Sequence, residues 1–123
     1  MIPITTGNAP AAGGHYSQAI VANGFVFVAG QLPFPVDGGA IAPDIAGQTR
    51  QALANVAAIL NAAGSGLDRV VSATVYVTDI ALWPEINRIY AEIFGSHRPA
   101  RTVAVSPQLH HGALVEVQAI ATV

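Results

Sequence analysis

The sequence contains no cysteine and no lysine, and its five basic residues are all arginines: Arg50, Arg69, Arg88, Arg98 and Arg101. Without cysteine, the chain has no disulfides, no thiolate nucleophile and no cysteine metal ligands. Without lysine, it has no side chain that could form a Schiff base or attach pyridoxal phosphate. The two absences exclude a large part of covalent catalysis.

Charge is also scarce. Only 10% of the 123 residues are charged, whereas 52% are hydrophobic. So few charges cannot cover the surface of a monomer of this size, and we expect part of that surface to be buried in an oligomer. The formal net charge is −2 and no basic stripe occurs, which argues against a general nucleic-acid surface.

Long apolar runs are missing as well, so the sequence predicts no transmembrane span. The first residues, Met1–Thr6, lack the charged and apolar regions of a signal peptide. A cytoplasmic location is therefore the expectation. The length predicts one domain over residues 1–123, large enough for a substantial core.

Turn residues and periodicity predict the element order ββαβαββ. Two strands, Tyr16–Val21 and Phe25–Ala29, are joined at Asn23-Gly24, a strong hairpin signal. Asp44 is the predicted N-cap of a helix that runs to about Ala63 and ends at Gly64 and Gly66.

The second half of the chain continues the alternation. Val70–Thr78 is predicted to be a strand, with Val71, Ala73, Val75 and Val77 as its apolar side. A second helix begins near Pro84 and ends at Gly95, and two strands follow, from Arg101 and from Ala113. Two apolar helices in this order predict an α+β fold, with one sheet and both helices on one of its faces.

Arg101 and Glu116 are the most informative polar residues. Arg101 begins a predicted strand two residues after Pro99, and Glu116 lies inside an apolar predicted strand. Burying a charge is expensive unless it is paired, so both placements suggest a use. A guanidinium binds a carboxylate through two parallel hydrogen bonds, and a carboxylate can act as a general acid or base. We expect a pocket for a small carboxylate, although an ion pair between the two would explain them equally well.

Alternation in the last strand places Glu116 opposite the face that carries Val115, Val117 and Ala119. If the helices cover the valine face, the Glu116 face is left for another subunit. The sequence thus predicts sites between chains.

Several segments in order resemble the RidA, or YjgF, family, and together they span nearly the whole chain. They are Asn8–Ala12, Tyr16, Ala29–Pro33, Gln48–Val56, Thr74–Asp79, Pro99–Arg101 and Val115–Ala121. The resemblance implies a chorismate-mutase-like homotrimer with a six-stranded mixed sheet and clefts between subunits. It also implies cofactor-free hydrolytic deamination of reactive 2-imino and enamino acids to 2-keto acids and ammonia. Older names for the family include translation inhibitor and endoribonuclease.

The resemblance also assigns roles to single residues. Arg101 matches the arginine that clamps the substrate carboxylate, and Glu116 matches the carboxylate that holds water or exchanges protons. Tyr16 matches a tyrosine lining the cleft, Asn87 matches a polar position on the second helix, and Gly30 lies in the glycine segment near the ligand.

The sequence also departs from the family pattern. Val103 stands in a Thr-Val pair that replaces the frequent Ser-Cys, so its backbone is the expected ligand contact. Ala29 replaces a frequent serine, His15 a usual proline and Gln118 a frequent glutamate.

Other functions stay open at this point. The chain could be a non-catalytic trimer that binds small carboxylates, or an endoribonuclease or translation inhibitor. No metal site is expected, since the side chains of His110 and His111, adjacent in an extended strand, would point to opposite faces.

Overall fold

The computed structural model describes residues 1–123. Six strands form one mixed sheet in the spatial order β1-β2-β3-β6-β4-β5. The strands are β1 (Ile2–Ile4), β2 (Ala19–Ala22), β3 (Phe25–Gln31), β4 (Val70–Val77), β5 (Ala100–Val105) and β6 (Val115–Thr122). The helices are α1 (Ile45–Ala62) and α2 (Trp83–Phe94). All strand pairs are antiparallel except β4 with β5, which are parallel.

The predicted α+β class, the six-stranded mixed sheet and the two helices are confirmed. The order ββαβαββ describes the chain from β2 onward, and the short edge strand β1 precedes it. The prediction that Tyr16 begins a strand is wrong. Tyr16 lies in a bend before β2, because its N–H donates to the Gly14 carbonyl at 3.0 Å and the pairing of β2 with β1 begins only at Ala19.

Turn and cap residues act as predicted. Asn23 and Gly24 both have positive φ, of 52° and 80°, as a tight hairpin turn requires. The Asp44 side chain accepts a hydrogen bond from the Gly47 N–H at the start of α1, and Gly64 follows its end with φ of 80°. Gly95, with φ of 65°, ends α2.

The core lies between the helices and one face of the sheet. Its buried β6 residues are Val115, Val117, Ala119 and Ala121, as the alternation predicts. One predicted core residue of β4 is wrong: Val71 is 42% exposed and Val70 is buried in its place. The register between β4 and β6 shifts between Val70 and Ser72, and this irregularity reverses the alternation at the start of β4.

The other face of the sheet carries no helix. Ile20, Phe27 and Ile120 are paired across β2, β3 and β6 and form an apolar row on this open face. Phe25 and Phe27 are 39% and 45% exposed. No helix in the structure has the length and apolar character needed to cross a membrane.

Candidate functional site

Arg101 lies on the helix-covered side of the sheet. Strand register pairs it with the buried Ala73 of the parallel neighbour β4, and residues paired in this way point to the same face. One guanidinium nitrogen donates a 3.0 Å hydrogen bond to Asn87 Oδ1. The guanidinium carbon lies 4.7 Å from the Trp83 ring centroid and 4.8 Å from that of Tyr90.

The three partners of Arg101 come from one face of α2, since positions 83, 87 and 90 are spaced by four and three residues. The amide and the two rings hold the guanidinium by hydrogen bonding and cation–π attraction. Arg101 remains exposed and forms no salt bridge within the chain. It is therefore positioned, yet its charge is free to receive an anion.

Tyr90 has one unusual feature. It is only 6% exposed, and its hydroxyl has no hydrogen-bond partner. Burial raises the pKa of this phenol, while the positive charge of Arg101 acts in the opposite direction. Tyr90 therefore contacts Arg101 through its ring and not through its hydroxyl.

Glu116 lies on the opposite, open face of the sheet. It alternates with the buried Val115 and Val117 along β6 and is paired with Tyr76 of β4. Burial raises the pKa of its carboxyl above the usual 4.5, and the nearby His110 acts to lower it. A half-buried carboxyl of this kind is suited to accept and return a proton.

Gly30 lies against Glu116. The register between β3 and β6 shifts between Val28 and Gln31, and this bulge brings the glycine backbone towards the carboxylate. A Cβ at position 30 would stand 2.8 Å from Glu116 Oε2 and 3.1 Å from its Cδ. Only glycine leaves the carboxylate in this position undisturbed.

Gly30 also lines a cavity of about 380 Å³, together with Tyr16, Phe34, His110 and His111. The Tyr16 hydroxyl accepts a 3.3 Å hydrogen bond from the Gly13 N–H, and its side chain is 54% exposed. A second depression, lined by His110, His111 and Glu116, adjoins it. Tyr16 and Gly30 thus line one cavity, and Glu116 lies against Gly30.

Buried amide side chains fix the loops around this cavity, and the sequence patterns did not reveal them. Gln18 accepts from the Thr6 N–H at 2.7 Å and donates to the Pro10 carbonyl at 2.8 Å. Asn55 on α1 donates to the carbonyls of Leu32 and Phe34. A polar residue such as Gln18 or Asn55 within an otherwise apolar, buried pattern is the one sequence signal that could have indicated these hydrogen bonds.

His110 and His111 were also missed as cavity residues. They lie in a short 3-10 turn, not in an extended strand, and His111 has a positive φ of 61°. The His111 ring packs edge-on against Phe34, with centroids 5.1 Å apart. No three histidine, aspartate or glutamate side chains gather where they could hold a metal ion.

Val103 is half-buried on β5, and its side chain packs against the core. Because β5 is an edge strand, alternate backbone groups along it point away from the sheet. A ligand contact at this position would therefore use the backbone.

The two halves of the predicted site do not meet within one chain. Arg101, Asn87 and Val103 lie on the helix side of β5, whereas Tyr16, Gly30 and Glu116 lie with the open face. An intrachain ion pair between Arg101 and Glu116, the alternative left open by the sequence, is absent from the structure.

The model of the endoribonuclease L-PSP family matches residues 6–123. The chain belongs to this family, also called RidA or YjgF. It is 46% identical over 119 residues to a RutC family protein of Pyrococcus horikoshii, covering 96% of this chain and 94% of the relative. It is 40% identical to 2-iminobutanoate/2-iminopropanoate deaminase of Bos taurus, covering 96% and 87% of the two chains.

Solved structures agree with the fold. The crystal structure of E. coli TdcF with bound serine has a TM-score of 0.96 and 33% sequence identity, and the match covers 100% of this chain and 99% of that one. The family and the fold are thus established from sequence and structure alike.

Proposed function

We propose that this protein hydrolyses reactive 2-imino and enamino acids to 2-keto acids and ammonia, without a cofactor, in clefts between copies of the chain. The observation that carries this proposal is the state of Arg101. Asn87, Trp83 and Tyr90 hold its guanidinium in place, and no carboxylate of the chain neutralises it. A fixed and unpaired guanidinium is a receptor for a planar carboxylate.

Glu116 supplies the proton transfer. Imine hydrolysis adds water to the C=N carbon, and in this scheme the Glu116 carboxylate accepts a proton from that water as the C–O bond forms. The same proton then passes to the nitrogen of the tetrahedral intermediate. This gives a neutral carbinolamine. Its hydroxyl proton is then transferred through Glu116 to the nitrogen as the C–N bond breaks, so that ammonia leaves and the carbonyl of the keto acid remains.

The location of the two halves supports a site shared between copies. Arg101 and Glu116 lie on opposite faces of one sheet, so one chain cannot offer both to a small substrate. If the β5 edge of one copy packs against the open face of the next, Arg101 of the first copy and Glu116, Tyr16 and Gly30 of the second line one cleft. The homotrimer implied by the family resemblance is one such assembly.

The bovine deaminase supports the reaction class, and the serine-bound TdcF structure supports a small amino-acid-like ligand in a related protein. Non-catalytic binding of small carboxylates would use the same arginine. The endoribonuclease alternative has less physical support, because the net charge is −2 and Arg50 and Arg88 are paired with Glu92 and Glu85.

The test is a coupled assay. An amino-acid oxidase generates the 2-imino acid, and semicarbazide traps whatever imine remains. We expect the native protein to shorten the imine lifetime and Arg101→Ala to lose at least about tenfold of that rate, as removal of a charged hydrogen bond does.

Arg69→Ala is the matched control, since Arg69 is an exposed arginine in the turn before β4, outside both cavities. If the native protein leaves the imine lifetime unchanged but binds 2-keto acids, the protein is a binder and the proposed reaction is wrong. Cleavage of RNA that falls steeply with salt would favour the endoribonuclease alternative instead.

A further inference from the structure

A third cavity, of about 440 Å³, is lined by a second arginine, Arg98, in addition to Arg101. Its lining includes Arg98, Pro99, Arg101, Asn87 and His97. No aspartate or glutamate lines it. Two arginines, the exposed Arg98 and Arg101, therefore line one cavity that no carboxylate lines.

Neither arginine is neutralised by the chain. The salt bridges join Arg50 to Glu92 and Arg88 to Glu85, so both acids of α2 are paired with other arginines. Two like charges in one cavity repel each other, and an anion between them removes that repulsion. The arrangement favours an anion with charge at two points.

Pro99 restricts the backbone conformation of the segment that joins Arg98 to Arg101. A residue before proline is restricted to extended backbone, which applies to Arg98, and proline fixes its own φ. The His97 ring nitrogen Nε2 lies 2.7 Å from the Val70 carbonyl oxygen and ties the segment to β4. Arg101 is held from the other side by Asn87. The backbone carrying both cations is thus fixed before any ligand arrives.

We propose that Arg98 binds a second carboxylate, so that the preferred substrates are 2-imino dicarboxylates such as 2-iminoglutarate. This inference rests on the proposed function, in which Arg101 binds the carboxylate next to the imine. Arg98 then receives the distal carboxylate and acts as a specificity-determining residue. A substrate of the same length with a methyl end would leave the Arg98 charge without a partner.

The experiment compares two substrates of equal chain length. An oxidase acting on glutamate yields 2-iminoglutarate, and one acting on norvaline yields 2-iminopentanoate, which ends in a methyl group. The readout is the ratio of kcat/KM for the two imines. In parallel, calorimetry measures the binding of the stable keto acids 2-oxoglutarate and 2-oxopentanoate.

We expect the native protein to favour the dicarboxylate in both readouts, and Arg98→Gln to lower each preference about tenfold, the effect of one charged hydrogen bond. Arg98→Lys should retain part of the preference, because it keeps the charge but loses the planar fork. Arg69→Gln should leave the ratio as it is in the native protein.

The outcomes separate the two proposals. If neither imine is hydrolysed yet 2-oxoglutarate binds preferentially through Arg98, the deaminase reaction is wrong and the two-carboxylate site stands. If both imines are hydrolysed equally well and the keto acids bind equally, the inference is overturned and the deaminase reaction stands. If Arg98→Gln leaves the preference for the dicarboxylate intact, the inference is also overturned.

Discussion

At the scale of single residues, the proposed chemistry depends on how closely Gly30 and Glu116 approach. The carboxylate occupies the space that a side chain at position 30 would fill. Gly30 has no positive φ, so the reason for a glycine here is the close approach and not the backbone conformation. The absence of a side chain at Gly30 therefore allows the Glu116 carboxylate to occupy its position.

Gly30→Ala is expected to lower kcat/KM for 2-imino acids by about ten- to a hundredfold, because the new methyl group pushes the carboxylate aside. The melting temperature should change little, since the displaced atoms belong to the end of a flexible side chain. Gly7→Ala is the control, as a Cβ there has no neighbour within 4 Å. Equal activity of Gly30→Ala and the native protein would contradict the role of Glu116 placement.

The raised pKa of Glu116 predicts a pH dependence of activity. The carboxylate must be ionised to accept a proton from water, so kcat/KM should rise with pH through a midpoint above 4.5. Glu116→Gln should lose this limb together with the activity. A rate profile whose acid midpoint lies at or below 4.5 would assign the limb to another group.

The same shift also affects stability. A carboxyl whose pKa is higher in the folded chain than in the unfolded chain favours folding when protonated. That contribution is complete below pH 4.5 and is lost as pH rises through the raised pKa. Urea denaturation should therefore show Glu116→Gln to be more stable than the native protein at neutral pH, and equal to it below pH 4.5.

At the scale of elements, α1 positions the cavity walls as well as covering the sheet. Gln48 donates to the Ala42 carbonyl and accepts from the Leu114 N–H, which anchors the chain just before β6. Asn55 holds the segment after β3. Both amides are buried, so each hydrogen bond lost there leaves an unsatisfied polar group.

Asp44→Ala removes the N-cap of this helix and should lower the free energy of unfolding by about 1 kcal/mol. Denaturant titration followed by circular dichroism measures it. Asp68→Ala, a change of an exposed aspartate outside the α-helices, is the control and should lie within about 0.5 kcal/mol of the native protein. An Asp44→Ala value as small as that of the control would mean that the cap does not stabilise α1.

At the scale of the whole molecule, the open face of the sheet is the feature that a single chain leaves incomplete. It presents the row Ile20, Phe27 and Ile120, and the half-buried Glu116 lies on the same face. Exposed apolar surface of this kind is typical of an interface between subunits. The face that would bind another copy also carries half of the proposed site.

Phe27→Asp should therefore shift the protein to a smaller assembly in light scattering and lower deaminase activity together with it. The chain should still fold, since Phe27 is not part of the core. Val36→Asp introduces the same charge at an exposed valine in the loop after β3 and should keep the assembly intact. A Phe27→Asp protein that keeps both its mass and its activity would exclude this face as the interface.

Local signals in the sequence were sufficient for most elements. The Asn23-Gly24 turn, the Asp44 cap and the glycines after both helices occur where predicted, because each depends on the chemistry of a few adjacent residues. Alternation along β6 also placed Glu116 on the face away from the helices. The absence of lysine and cysteine is a property of composition alone, and it restricts the chemistry whatever the fold.

Only the tertiary structure decided which of these residues lie together. The parallel pairing of β4 with β5 places Arg101 on the helix side, and a bulge in β3 brings Gly30 to Glu116. Strand register, bulges and the neighbours of Arg98 depend on contacts between distant segments, which local periodicity does not encode. The sequence by itself therefore determined the elements and the available chemistry, whereas the pairing of strands determined that Arg101 and Glu116 face opposite sides of one chain.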